Sequence, residues 1–134
     1  MVDVKELYEI FKKYPLISTD SRNIQKNSVF FGLKGENFNG NEYVLNALKN
    51  GAAYAVTDSK SFADNNRCLI VNDTLEALQQ LAAIHRKQFN IPVIALTGTN
   101  GKTTTKELIS SVLKKKYKIL ATKGNLNNHI GVPL

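Results

Sequence analysis

Apolar positions near the start of the chain recur at helical spacing. Leu7, Ile10, Phe11 and Tyr14 share one face, Asp3 and Glu6 precede them as a capping box, and Pro15 ends the run. Val29-Phe30-Phe31-Gly32-Leu33 then reads as a buried strand, and Gly35 to Asn41 as a polar loop. From Tyr43 to Asn50 the helical period returns, with Val44, Ala47 and Leu48 inward and Gly51 as the stop. Ala53 to Thr57 predicts a strand, Asp58 to Arg67 a polar loop, and Cys68-Leu69-Ile70-Val71 another strand. Asp73 and Glu76 cap a further helix carrying Leu75, Leu78, Leu81 and Ala82, which runs to about Phe89. Beyond the junction Asn90-Ile91-Pro92 the pattern is Val93 to Leu96 as a buried strand, a glycine-bearing turn, and a helix containing Leu108, Ile109, Val112 and Leu113. Lys118 to Ala121 predicts one more short strand, and the segment from Gly124 onward is polar.

Strands alternating with helices predict an α/β fold with a largely parallel sheet. The Pro92 junction divides it into a small domain over 1–90 and the opening strand–loop–helix–strand of a second over 91–134. One such unit does not cover both faces of a parallel sheet. It also lacks a second acidic strand end to help hold Mg²⁺. The sequence is therefore expected to be the N-terminal piece of a longer enzyme, without turnover of its own.

Composition narrows the classes. Hydrophobic residues at 43% and charged residues at 22% fit a folded globular protein. No apolar run approaches a membrane span, and the N-terminus lacks a basic region followed by an apolar core, so a cytoplasmic protein without membrane insertion is expected. Cys68, the single cysteine, sits in an apolar strand and reads as a small hydrophobe. His85 and His129 lack the neighbours of a metal cluster. The charge of +7 suggests nucleic acid, but Lys12-Lys13 and Lys114-Lys115-Lys116 fall at helix ends, where cations suit the dipole. No aromatic residues interleave with them as a base-stacking platform, so nucleic acid is not an expected partner.

The chemistry is concentrated in Thr97-Gly98-Thr99-Asn100-Gly101-Lys102-Thr103-Thr104, between an apolar strand and a helix. Glycines allow backbone N–H groups to approach phosphates, and the helix N-terminus that follows favours anions. Lys102 can reach β/γ-phosphates, and the Thr103 hydroxyl can ligate Mg²⁺. The usual P-loop has a glycine where Leu96 stands, so this loop is a shortened relative, with Gly98 three positions before Gly101.

This loop resembles the ATP loop of the Mur ligases and of the related folylpolyglutamate synthases. Thr19-Asp20-Ser21-Arg22, Val29 to Gly35, and Asn39-Gly40 resemble the N-terminal UDP-sugar-binding domain of the late Mur ligases, which folylpolyglutamate synthases lack. The tail from Thr122 to Leu134, with Asn125, Asn127, Asn128 and His129, resembles the MurF branch. The three motifs stand in order and span the chain from about Ser18 to its end.

The resemblance implies an ATP-dependent ligase of peptidoglycan-precursor synthesis. It would join D-alanyl-D-alanine to UDP-N-acetylmuramoyl-tripeptide through an acyl phosphate, using ATP and Mg²⁺ and working as a monomer. It further implies that Gly98, Thr99, Asn100, Gly101, Lys102, Thr103 and Thr104 cradle ATP, with Lys102 as the charge-neutralising catalytic group and Thr103 on Mg²⁺. Thr19, Ser21, Arg22, Glu36, Asn37 and Phe38 would meet the substrate at its uridine end, and Asn125, Asn128 and His129 would lie near the muramoyl-peptide. The family often has Asp where this chain has Asn39, so a role needing a carboxylate there is open.

Plainer alternatives stay beside these roles. Asp20-Ser21-Arg22 also fits a turn with an Asp–Arg pair, Asn39-Gly40 a turn, Asn127-Asn128 a loop, and His129 a surface residue. Two other functions fit as well: a diaminopimelate- or lysine-adding ligase of the same type, and a non-catalytic nucleotide-binding module.

Overall fold

The computed structural model describes residues 1–122, 124 and 126–134. The chain separates into two units, Met1–Gln88 and Phe89–Leu134.

In the first unit, helix α1 spans Val4–Lys13, and the Asp3 carboxylate caps it by accepting from the amides of Lys5 and Glu6 at 2.8 Å. Four strands follow in one parallel sheet: β1 (Ile17–Ser18), β2 (Val29–Phe31), β5 (Tyr54–Thr57) and β6 (Cys68–Ile70), in spatial order β1-β2-β5-β6. Between β2 and β5 the chain makes a two-stranded antiparallel hairpin, β3 (Lys34–Gly35) with β4 (Phe38–Asn39). A 3₁₀ turn over Gly40–Tyr43 and helix α2 (Val44–Lys49) complete this crossover. Helix α3 spans Thr74–Lys87, capped by Asp73 through the Glu76 amide at 2.7 Å.

Parallel strands covered on both faces need apolar residues at successive positions, and Val29, Phe30 and Phe31 are all fully buried. The pleat divides them. Phe30 and Ala55 pack with Val44, Ala47 and Leu48 of α2, together with Ala52 and Cys68. Tyr54, on the opposite face, meets the ring of Tyr14 at the end of α1. Helix α1 packs on α3, where the Phe11 ring meets the edge of His85 at 5.0 Å. Arg67 ties the second half of the crossover together by donating to the carbonyls of Ala53, Leu48 and Ala52.

The structure departs from the sequence pattern at four segments. The pattern gives no strand at Ile17–Ser18, where two residues suffice because β2 already offers a ladder edge. Within the expected loop from Gly35 to Asn41, the β3–β4 hairpin forms. The expected strands at Val93–Leu96 and Lys118–Ala121 are absent, and Val93, Ile94 and Leu120 are exposed. A strand exists only in a ladder, because its backbone N–H and C=O groups need partners from a neighbour. Among the described residues of the second unit no strand supplies that neighbour. The helix is formed as expected: α4 covers Lys102–Leu113.

Candidate functional site

Three consecutive parallel strands end on the same side of the sheet, and the residues of interest lie just past those ends. Thr19 to Arg22 follow β1, the crossover from Lys34 to Tyr43 follows β2, and Asp58 follows β5. In open α/β sheets, ligands bind outside the carboxyl ends of strands.

After β1, Asp20 and Arg22 form a forked ion pair. The Arg22 Nε and Nη2 donate to the two carboxylate oxygens at 2.9 and 2.8 Å, and the Arg22 amide adds a third bond at 3.0 Å. Arg22, through this side-chain bond and then its amide, holds the Asp20 carboxyl down at about 2. The Arg22 pKa is raised in return, by Asp20 first and with a smaller contribution from the Tyr43 phenol. Ser21 is buried, and its carbonyl accepts from Asn50 Nδ2. Thr19 is half-buried.

After β2, Gly35, Glu36, Asn37, Phe38, Asn39, Glu42 and Tyr43 line an open groove of about 370 Å³. The rings of Phe38 and Tyr43 stack at 6.1 Å and 25°, and both are exposed, at 48% and 43%. An exposed aromatic pair flanked by amide and carboxylate side chains suits a planar heterocycle bearing donors and acceptors. Glu36, Asn37 and Phe38 thus come together in one wall, whereas Thr19, Ser21 and Arg22 sit after the neighbouring strand. The Asn39 amide oxygen caps the 3₁₀ turn by accepting from the Asn41 amide at 3.2 Å, so no carboxylate is needed for that turn.

Three residues at the two ends of this hairpin and on the strand end beside it have no role assigned from the sequence. Asn41 is buried and donates through Nδ2 to Asp58 Oδ1 at 2.6 Å, while its Oδ1 accepts from Thr57. Asp58 Oδ2 accepts from Lys34 Nζ at 2.8 Å. Burial pushes the Asp58 carboxyl up, but the bonds from Lys34 and Asn41 outweigh it and leave the net shift downward. The available signal was weak: Lys34 and Asn41 bracket the hairpin, but their shared partner lies well downstream.

In the second unit, Gly98 and Gly101 adopt positive φ, 142° and 76°, and Gly101 stands at the N-cap of α4. Among the described residues, a Cβ on Gly101 would meet nothing within 4 Å. The amides of Lys102, Thr103 and Thr104 belong to the first turn, which has no intrahelical acceptors for them. Lys102 Nζ donates to the Gly98 carbonyl, laying the ammonium along the loop. Thr99, Asn100, Thr103 and Thr104 are exposed. This donor set fits an anionic phosphate group.

Lys106, one turn further along, escaped the sequence reading. Its ammonium donates to the carbonyls of Thr122 and Gly124 at 2.7 and 3.2 Å and pairs with Glu107 at 2.9 Å, mooring the segment after α4 to the helix. Asn128 Oδ1 accepts from the amides of Ile130 and Gly131, so this side chain caps the turn it opens. His129 is exposed, and Asn125 lies outside the described residues. Among the described residues no three His, Cys, Asp or Glu side chains group as a metal site, and no helix is long and apolar enough to cross a membrane.

A small parallel-sheet unit with a groove at its strand ends, joined in one chain to a glycine loop opening a helix, defines a protein of the α/β class. The chain belongs to the Mur ligase family: the family's catalytic-domain model matches residues 13–86, and the Mur ligase middle domain matches residues 96–134. The chain is 42% identical over 120 residues to the UDP-N-acetylmuramoyl-tripeptide–D-alanyl-D-alanine ligase of Bacillus subtilis, a match covering 88% of this chain and 26% of that one. Among solved structures, MurF of Acinetobacter baumannii superposes with a TM-score of 0.81 at 41% identity, covering 90% of this chain and 26% of the other. MurF ligase of Thermotoga maritima in complex with ADP superposes with a TM-score of 0.80 at 32% identity, covering 88% and 27%. The chain thus spans about a quarter of the length of the relatives it matches.

Proposed function

We propose that this chain forms part of a cytoplasmic, monomeric, ATP-dependent ligase that joins D-alanyl-D-alanine to UDP-N-acetylmuramoyl-tripeptide in peptidoglycan-precursor synthesis. The first unit would hold the uridine end of the muramoyl-peptide and the second the phosphates of ATP.

What supports the reading most is the glycine loop at the start of α4, with Lys102 drawn along it toward Gly98, in a chain related to a MurF ligase in complex with ADP. Activating a carboxylate with ATP asks little covalent chemistry of a protein. It asks for clamping and charge neutralisation, which backbone amides and a lysine provide. In this reading the amides from Gly98 to Thr104 orient the phosphates, Lys102 neutralises them, and Thr103 offers its hydroxyl to Mg²⁺. The metal, when bound, would add charge neutralisation at the same phosphates. In the first unit Phe38 and Tyr43 would pack on the uracil, Glu36 and Asn37 would meet its polar edge, and Thr19, Ser21 and Arg22 would face the rest of the nucleotide. Asn125, Asn128 and His129 would approach the peptide.

Two nucleotide titrations followed by amide NMR test this division. ADP should move the resonances of Gly98 to Thr104, and UDP those of Glu36 to Tyr43. Shifts of one common set of residues by both nucleotides, or no shifts at all, would overturn the assignment of two sites.

A further inference from the structure

The hairpin that carries the groove is too small to hold itself. Strands β3 and β4 have two residues each, all of them exposed, and an isolated two-stranded hairpin is marginal in water at best. Something else must fix the position of Phe38 against Tyr43.

Both ends of the excursion are moored to one point. At its start, Lys34 Nζ pairs with Asp58 Oδ2 at 2.8 Å; past its end, Asn41 Nδ2 donates to Asp58 Oδ1 at 2.6 Å. The Asp58 side chain is only 9% exposed, and it stands immediately after the carboxyl end of β5. The orientation of Asn41 is fixed chemically. A carboxylate only accepts, so the amide nitrogen must face Asp58, and the amide oxygen is left for the Thr57 hydroxyl. Thr57 Oγ1 in turn accepts from the Ser59 amide at 3.1 Å. One backbone bond, from the Gly40 amide to the Leu33 carbonyl at 2.8 Å, closes the base of the excursion between these moorings.

We propose that Asp58 is a positioning residue for the groove: by holding Lys34 and Asn41 together it presets the Phe38–Tyr43 wall for a nucleotide. The reason is energetic as well as geometric. Lys34→Met leaves the Asp58 carboxylate, only 9% exposed, without its counter-ion, and an uncompensated, nearly buried charge favours opening of the weak hairpin. Preset walls raise affinity by removing the ordering cost from the binding step. The inference rests on the reading of the groove as the uridine site, and the experiment separates the two.

Lys34→Met, Lys34→Arg and Asp58→Asn would be compared with the unaltered chain by amide hydrogen exchange and by calorimetric titration with UDP. In Lys34→Met and Asp58→Asn the Gly40 amide should exchange at least tenfold faster, while the Ala55 amide, bonded to the Arg67 carbonyl in the sheet, keeps its protection. UDP should bind those two variants about tenfold more weakly, and Lys34→Arg should recover most of both losses because it restores the ion pair. Unchanged Gly40 exchange or unchanged UDP affinity in both disruptive variants would overturn the proposal. So would equal loss of protection at Ala55 and Gly40 with no rescue by Arg, the pattern of general destabilisation. Should the unaltered chain fail to bind UDP, the uridine reading falls, and the exchange at Gly40 alone then decides whether Asp58 moors the hairpin.

Discussion

Lys102 reaches back four residues and donates its ammonium to the carbonyl of Gly98, across the loop it terminates. The carbonyl is a neutral acceptor. A phosphate at the helix start is anionic and adds ion-pair attraction to the bond that the ammonium donates. The bond to Gly98 therefore keeps the ammonium beside the first-turn amides while leaving it exchangeable for a stronger acceptor.

Lys102→Ala should weaken ADP binding to this chain at least tenfold without altering its melting temperature, because the side chain packs in no apolar core. In a complete ligase carrying the same loop, losing one preorganised electrostatic group should lower turnover by on the order of 10²–10³. Calorimetry and a melting curve check the first pair of expectations; affinity within twofold of the unaltered chain would show that Lys102 does not serve the phosphates.

Gly40 supports the groove through close approach. A Cβ there would lie 2.4 Å from the Leu33 carbonyl oxygen and 2.6 Å from the Gly32 carbonyl carbon, both backbone atoms that cannot swing aside. Gly40→Ala should cost about 1–3 kcal/mol, the usual range for overpacking, and should weaken UDP binding along with it. Chemical denaturation reads the first effect. A variant as stable as the original would mean that the two backbone segments separate freely.

Asp20 provides a titration test. Its carboxyl is depressed to about 2 by Arg22. A depressed acid contributes whatever stability it has above the ordinary carboxylate range and loses it as the pH falls through the folded value. The Asp20 carbon resonance should titrate near pH 2 in the native chain and at a higher pH in Arg22→Gln, which loses the guanidinium bonds and keeps the backbone amide bond. The change in stability should be small, since the pair is exposed. An ordinary midpoint in the unaltered chain would show that the forked pair does not persist in solution.

Features written locally were legible in the sequence. Asp3 and Asp73 cap α1 and α3 where the cap pattern stands, and the inward residues Val44, Ala47 and Leu48 of α2 are those the helical period selects. The glycine loop opens α4 with the expected spacing. Strands were less legible because a strand is a property of two segments. Val93–Leu96 is as apolar as Val29–Phe31, yet only the latter has ladder partners, on both sides. The site divides in the same way. Glu36, Asn37 and Phe38, named through the resemblance, are contiguous and line one groove, whereas Lys34, Asn41 and Asp58 work through contacts that no short motif displays.

Ser28 gives a prediction of opposite sign. It is fully buried, and among the described residues its hydroxyl has no hydrogen-bond partner. A buried hydroxyl without a partner costs about 1–3 kcal/mol, so Ser28→Ala should leave the melting temperature unchanged or raise it by a few degrees. A clear fall would reveal that the hydroxyl is satisfied.

Thermal denaturation of this chain with UDP-N-acetylmuramoyl-tripeptide tests whether the groove after β2 binds the uridine end of that ligand, as proposed. A ligand at ~100 times its Kd stabilises the folded state by about 2.7 kcal/mol. With uridine held in the groove, the melting temperature climbs with ligand concentration by several degrees, and Phe38→Ala removes the climb. A folded chain whose melting temperature does not move at millimolar UDP-N-acetylmuramoyl-tripeptide, or moves equally with Phe38→Ala, would contradict it.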